Sequence, residues 1–235
     1  MKEEQIHYDL HSHTTCSDGV LTPQELIMRA ELRQIGALAI TDHDTTAALK
    51  KAKAFIAENN YKINLVNGIE ISTKWHGFEI HVVGLCIDES DEAFSDCMAI
   101  QRKHRELRAK SVAEKLEKKG IPGVYEEARE LAGSEHISRT HFAKVLLHRG
   151  VVSSFDAAFK KYLGKGKSAY VSPHWMDIKT AVKIIQDANG IAVLAHPVRY
   201  DLSNKWLKKL VGDFALAKGD AVEVGLSQVS PNQRD

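Results

Sequence analysis

Polar and apolar positions alternate through Gln5-Ile6-His7-Tyr8, the pattern of a strand with one buried face. Short apolar runs then recur at Ala37-Leu38-Ala39-Ile40-Thr41, from Asn64 to Glu70-Ile71, from Glu79 to about Ile87, at Ile191-Ala192-Val193-Leu194-Ala195 and at Ala221-Val222-Glu223-Val224, predicting five further strands. Helical signals fall between them. Thr22-Pro23-Gln24-Glu25 offers a capping residue, proline at the first helical position and glutamate at the third, so a helix runs to about Gln34 and Gly36 ends it. Thr45 or Thr46 caps a second helix, whose apolar face includes Leu49, Ala52 and Ile56.

From Asp91 to about Pro173 the pattern changes to charge-rich helices. The first spans about Glu92 to Lys119, stopped by Gly120 and Pro122, and others cover Tyr125 to Ala132, Arg139 to His148 and Ser154 to Leu163. Alternation resumes with helices from Asp177 to Ala188 and from Asn204 to Leu216. Residues 1–90 and 174–235 thus read as one discontinuous α/β domain, and residues 91–173 as an inserted helical cap. The repeated strand, helix, strand order predicts a parallel sheet covered by helices, either open and doubly wound or closed as a barrel.

Composition excludes several classes of function. With 32 Lys and Arg against 31 Asp and Glu, the net charge of +1 gives no global field for nucleic acid or membranes, so an anion site must be local. No stretch approaches the length that spans a bilayer, and Met1-Lys2-Glu3-Glu4-Gln5 enters the first strand without an apolar signal core, which predicts a cytoplasmic protein. Cys16, Cys86 and Cys97 show no metal or redox spacing.

The candidate chemistry lies at strand ends. In Asp9-Leu10-His11-Ser12-His13 a strand aims every second side chain the same way, directing His11 and His13 at one point. Asp18 follows in a loop, His43 and Glu70 end their apolar runs, His81 opens one, and His196 closes another. Ligand-grade residues on five strands suit a barrel around one axis better than a crevice at one switch point. Imidazoles and carboxylates without a thiolate cluster fit manganese, iron or zinc. Asp9 and Asp42 are expected to orient imidazoles.

These segments resemble the polymerase and histidinol phosphatase (PHP) family of metal-dependent phosphoesterases. Asp9-Leu10-His11-Ser12-His13 with Asp18-Gly19 is similar to its first motif, Thr41-Asp42-His43-Asp44 to its second, Gly68-Ile69-Glu70-Ile71-Ser72 with His81 to its third, and Leu194-Ala195-His196-Pro197 to a later one. The resemblance implies a distorted (β/α)7 barrel and up to three divalent metal ions. It assigns His11, His13 and Glu70 to one site, Asp18 and His43 to a second, and Glu70, His81 and His196 to a third. The family closes with an Asp-x-His pair on a last strand; no such pair precedes Asp235, so the barrel is expected to lack that strand and the chain to be a truncated form.

Ile137-Ser138-Arg139-Thr140-His141-Phe142-Ala143 resembles the branch acting on nucleoside 3′,5′-bisphosphates and on the 5′ ends of short RNA. The expected reaction is hydrolysis of a phosphomonoester by metal-activated water, with His196 as ligand or as general acid. Arg102 and Arg105, three residues apart on one helix face, and Arg139 are the expected phosphate contacts, and Asp44 a ribose contact. A small-metabolite phosphatase, such as one for histidinol phosphate, is the alternative enzyme reading. A metal- or nucleic-acid-binding module is the alternative class, although no long basic surface supports specific DNA binding.

Overall fold

The computed structural model describes residues 6–133 and 136–224. Among these, six strands form one sheet in the order β1-β2-β3-β4-β5-β6. β1 (His7–Ser12), β2 (Ile35–Ile40) and the first part of β3 (Asn64–Trp75) run parallel, connected through α1 (Pro23–Leu32) and α2 (Ala47–Asn59). The Thr22 cap forms as the sequence predicts: its side chain accepts from the Glu25 N–H, and Glu25 reaches back to the Thr22 N–H.

The all-parallel expectation fails at β4 (Phe78–Leu85), which pairs antiparallel with both β3 and β5 (Ile191–Leu194). Only His76 and Gly77 separate β3 from β4, too few residues for a crossover helix. Both have positive φ, 45° and 79°, as a tight two-residue hairpin turn requires. β3 also continues well past Glu70, where the apolar run had suggested its end. Its partner changes there: pairing with β2 stops at Asn67 and pairing with β4 starts at Gly68. Glu70 therefore sits just past the point where the sheet changes from parallel to antiparallel.

β6 (Ala221–Val222) runs parallel to β5 and forms the second edge of the sheet. The sheet curls so far that its edges meet at one end, where Glu223 just past β6 lies 2.6 Å from His11 on β1. A half-barrel, rather than a counted (β/α)7 barrel, describes these residues.

Helices cover the outside. Ile27 and Ala30 of α1 and Leu49 and Ala52 of α2 pack with Leu38 and Ile40 of β2. Val182 and Ile185 of α7 (Ile178–Asp187) and Leu210 and Phe214 of α8 (Asn204–Leu216) pack with Ile69, Ile71, Ile80 and Val82. Between β4 and α7 run α3 (Glu92–Glu117), α4 (Val124–Ala132), α5 (Arg139–His148) and α6 (Phe155–Ala158), the last continuing as a π turn, Phe159–Leu163. Phe94 and Met98 of α3 join the core of the sheet, while the rest of α3 and the helices after it form a separate cluster around Val112, Leu116, Phe142, Leu146 and Leu163. None of the described helices is long and apolar enough to cross a membrane.

Candidate metal centre

One carboxylate collects five imidazoles. Glu70 is 1% exposed, and its Oε2 lies 3.1 Å from His43 Nδ1, 3.2 Å from His13 Nε2 and 3.4 Å from His11 Nε2. Its Oε1 lies 2.9 Å from His196 Nε2 and 3.0 Å from His81 Nδ1. Asp18 flanks the group, with Oδ1 at 3.8 Å from His13 Nδ1 and 3.9 Å from His43 Nε2. All seven residues expected as metal ligands line one cleft of about 310 Å³, together with Arg199 and Glu223. Three overlapping donor sets arise: His11, His13 and Glu70; His13, Asp18 and His43; and His43, Glu70 and His81.

Local backbone rules explain the convergence. β1 presents His11, and His13 follows two residues on, at the start of a tight loop. Asp42 closes that loop, accepting from the Thr14 N–H at 2.7 Å, the Thr14 hydroxyl at 2.6 Å and the Ser17 hydroxyl at 2.6 Å. It braces the chain that carries His13 and Asp18 and touches no imidazole directly, contrary to the expectation. Asp9 is exposed and takes no part. At Gly19 a Cβ would stand 2.4 Å from the His13 carbonyl oxygen, so only glycine lets the loop return this closely. His196 is held at φ 30°, a left-handed conformation that costs a non-glycine residue energy and is retained here beside Glu70.

The electrostatics match the donor set. Burial opposes charge on His11, but hydrogen bonds to Glu223 and Glu70 prevail and raise its pKa to about 10. Burial holds His43 well below its usual value. Glu70 is also opposed by burial, yet His43, His81 and the hydrogen bonds from His11 and His13 keep its pKa well below the ordinary carboxylate range. His43 Nδ1 and His196 Nδ1 are buried without a hydrogen-bond partner. His11 Nε2 and His13 Nε2 face each other at 3.2 Å beside the same oxygen. An unpartnered His43 Nδ1 facing Glu70 and two imidazoles pointed at one another are arrangements that a shared cation resolves, so these residues fit divalent metal ions.

Glu223 is the residue the sequence reading missed. Its Oε1 lies 2.6 Å from His11 Nδ1, while its Oε2 accepts the His196 backbone N–H at 2.6 Å. The available signal was an isolated acid in the apolar run Ala221-Val222-Glu223-Val224. A second missed contact is Tyr200, whose buried hydroxyl accepts the His81 backbone N–H at 2.8 Å.

The four expected substrate contacts separate into different environments. Asp44 and Arg105 are buried and bound to each other, and Asp44 also accepts the Ser72 N–H at 2.8 Å. Each is thereby neutralised by the other. Arg139 donates to Glu79 at 3.1 Å, and Arg108 grips the same carboxylate with two hydrogen bonds of 2.9 and 2.8 Å. Arg102 alone of the four is exposed and carries no acidic partner among the described residues.

Residues 9–185 match the PHP domain. A 5′-3′ exoribonuclease, Rnm, from Salmonella typhimurium is 51% identical over 229 residues, spanning 97% of this chain and 78% of its own. A 3′,5′-nucleoside bisphosphate phosphatase from Chromobacterium violaceum is 42% identical, spanning 92% of this chain and 75% of its own. Among solved structures, a Bifidobacterium adolescentis protein inferred to be a metal-dependent phosphoesterase superposes with a TM-score of 0.84 at 27% identity, covering 98% of this chain and 81% of that one.

Proposed function

The chain belongs to the PHP domain family, and from that premise we propose that it is a metal-dependent phosphoesterase hydrolysing nucleotide phosphoesters, either a phosphomonoester of nucleoside 3′,5′-bisphosphates or the first phosphodiester at the 5′ end of short RNA. The observation that carries this reading is the division of Glu70 between His11, His13 and His43 on one oxygen and His81 and His196 on the other. His11, His13 and Glu70 would hold one ion, Asp18 and His43 with the far face of His13 a second, and Glu70, His81 and His196 a third. Manganese suits this oxygen and imidazole set, and iron or zinc are the alternatives. Bound divalent ions of this kind lower the pKa of water and clamp phosphate oxygens.

The chain's own residues supply the geometry. His196 directs Nε2 at Glu70 and keeps Nδ1 buried, so it serves as a ligand and has no open nitrogen to protonate a leaving oxygen. The helices from α3 to α6 form a cap over residues 91–173 in this reading, with Arg102 exposed on it.

Purified protein loaded with manganese should release phosphate from 3′-phosphoadenosine 5′-phosphate or mononucleotides from 5′-phosphorylated RNA. Replacing outer-shell partners of metal ligands typically costs about 10–100-fold, so Glu70→Gln and His13→Ala should lose at least that much. Full turnover in either variant, or in chelator-stripped protein, refutes the proposal.

A further inference from the structure

We propose that a large cavity beside the metal centre is a second phosphate subsite, taking further internucleotide phosphates of an RNA chain whose scissile phosphate sits at Glu70. This inference rests on the phosphoesterase reading above and specifies the substrate's path. The cavity encloses about 810 Å³, a volume that accommodates a nucleotide, against about 310 Å³ for the metal cleft. One loop separates the two spaces: Thr15 and Cys16 line the cavity, while His13 and Asp18 of the same loop line the cleft.

Charge identifies the ligand class. Lys51 of α2 and Arg102 and Lys103 of α3 line the cavity, and all three are exposed with no ion pair among the described residues. Glu106, the acid among the described lining residues, is held by Lys110 at 2.5 Å. Other cations of α3 are already neutralised, Arg105 by Asp44 and Arg108 by Glu79. Three positive groups from two helices, with no ion pair among the described residues, make a local anion site in a chain of net charge +1. The first turn of α2 also borders the cavity and contains no acid, so its helix dipole adds to the same field.

The lining further indicates which part of the nucleotide is read. It contains no Phe, Tyr or Trp among the described residues, whereas proteins that grip single-stranded bases stack them on such rings. Lys51, Arg102 and Lys103 therefore hold the sugar–phosphate chain through charge. A bisphosphate mononucleotide gains less from them than an oligonucleotide does.

The test compares wild type with Lys51→Ala/Lys103→Ala. Manganese-loaded protein is assayed on p-nitrophenyl phosphate and on a 5′-phosphorylated pentanucleotide, and metal-free protein is titrated with a 3′-labelled pentanucleotide by fluorescence anisotropy across a salt series. Each phosphate contact to a single strand contributes about 0.7 to the slope of log affinity against log salt. The double variant should lower that slope by about 1.4 and reduce the pentanucleotide-to-aryl-phosphate ratio of kcat/KM at least about tenfold. Lys51→Arg/Lys103→Arg should retain both. An unchanged slope and ratio in the alanine variant, or equal loss on both substrates, overturns the proposal. Chelator dependence of aryl phosphate hydrolysis by wild type reports separately on the metal-centre reading.

Discussion

The His11 ring is held from both sides, by Glu70 near Nε2 and by Glu223 at Nδ1, and this fixes both its direction and its charge. In the metal-free protein its pKa rises to about 10 from an unfolded value near 6.5. Its contribution to stability is therefore complete below about pH 6.5 and is lost as pH rises towards 10. Metal competes with the same proton, so the apparent affinity for manganese should tighten up to about tenfold per pH unit across that interval. Metal titrations at several pH values measure this directly. Glu223→Gln removes the carboxylate that favours the imidazolium, which should move the pH-dependent interval downwards. At a pH above both intervals the variant should still bind manganese about 10–100-fold more weakly, because the ring and the His196 backbone lose their tether. Unaltered affinity and pH profile would show that Glu223 is a bystander.

At the scale of elements, one buried and one part-buried ionic cluster fasten α3 to the sheet. Arg105 binds Asp44 and donates to the Ser72 hydroxyl at 2.7 Å, and Gln101 one turn earlier donates to the Ser72 carbonyl at 2.5 Å. Further along, Arg108 joins Glu79 of β4, which Arg139 of α5 also reaches. Breaking one partner of such a buried pair typically costs about 3–5 kcal/mol, since it strands the other charge. Urea unfolding of Asp44→Ala should show a loss of this size, with Arg102→Ala, exposed on the same helix, nearly neutral. Sequence periodicity placed the helices and every strand but the far end of β3 close to their observed bounds, because each depends on neighbours a few residues away. It placed His11, His13, Asp18, His43 and His196 at strand ends or loops for the same reason, whereas Glu70 and His81 fall inside β3 and β4. Ion pairing was not legible: Arg105 and Asp44 lie 61 positions apart, and helix spacing alone made Arg105 equivalent to Arg102. Strand direction was also hidden, because an apolar run looks alike whichever way its neighbour points; only the brevity of His76-Gly77 signalled a hairpin.

For the molecule as a whole, the metal centre draws on both the parallel and the antiparallel parts of one continuous sheet. His11 comes from β1 and His43 follows β2, on the parallel side; His81 and His196 come from β4 and the end of β5, on the antiparallel side. Glu70 is the hinge between them, and Glu223 links the two edges only through His11 and the His196 backbone. Without metal, the raised pKa of His11 places an imidazolium beside the other imidazoles, and orphaned nitrogens remain buried at His43 and His196. Ions that bind only the folded arrangement shift unfolding by mass action, about 2.7 kcal/mol at a concentration 100 times the dissociation constant. For a chain of this size each kcal/mol moves Tm by about 2–4 °C. Manganese at that excess should therefore raise Tm by about 5–10 °C, with the shift growing logarithmically with concentration. Glu70→Gln should abolish most of the gain, since it weakens the bridge both halves share, whereas Lys51→Ala/Lys103→Ala should keep it in full. Scanning calorimetry over a manganese series separates these outcomes, and a Tm indifferent to manganese in the wild-type chain would mean that the five imidazoles do not act as a cross-link.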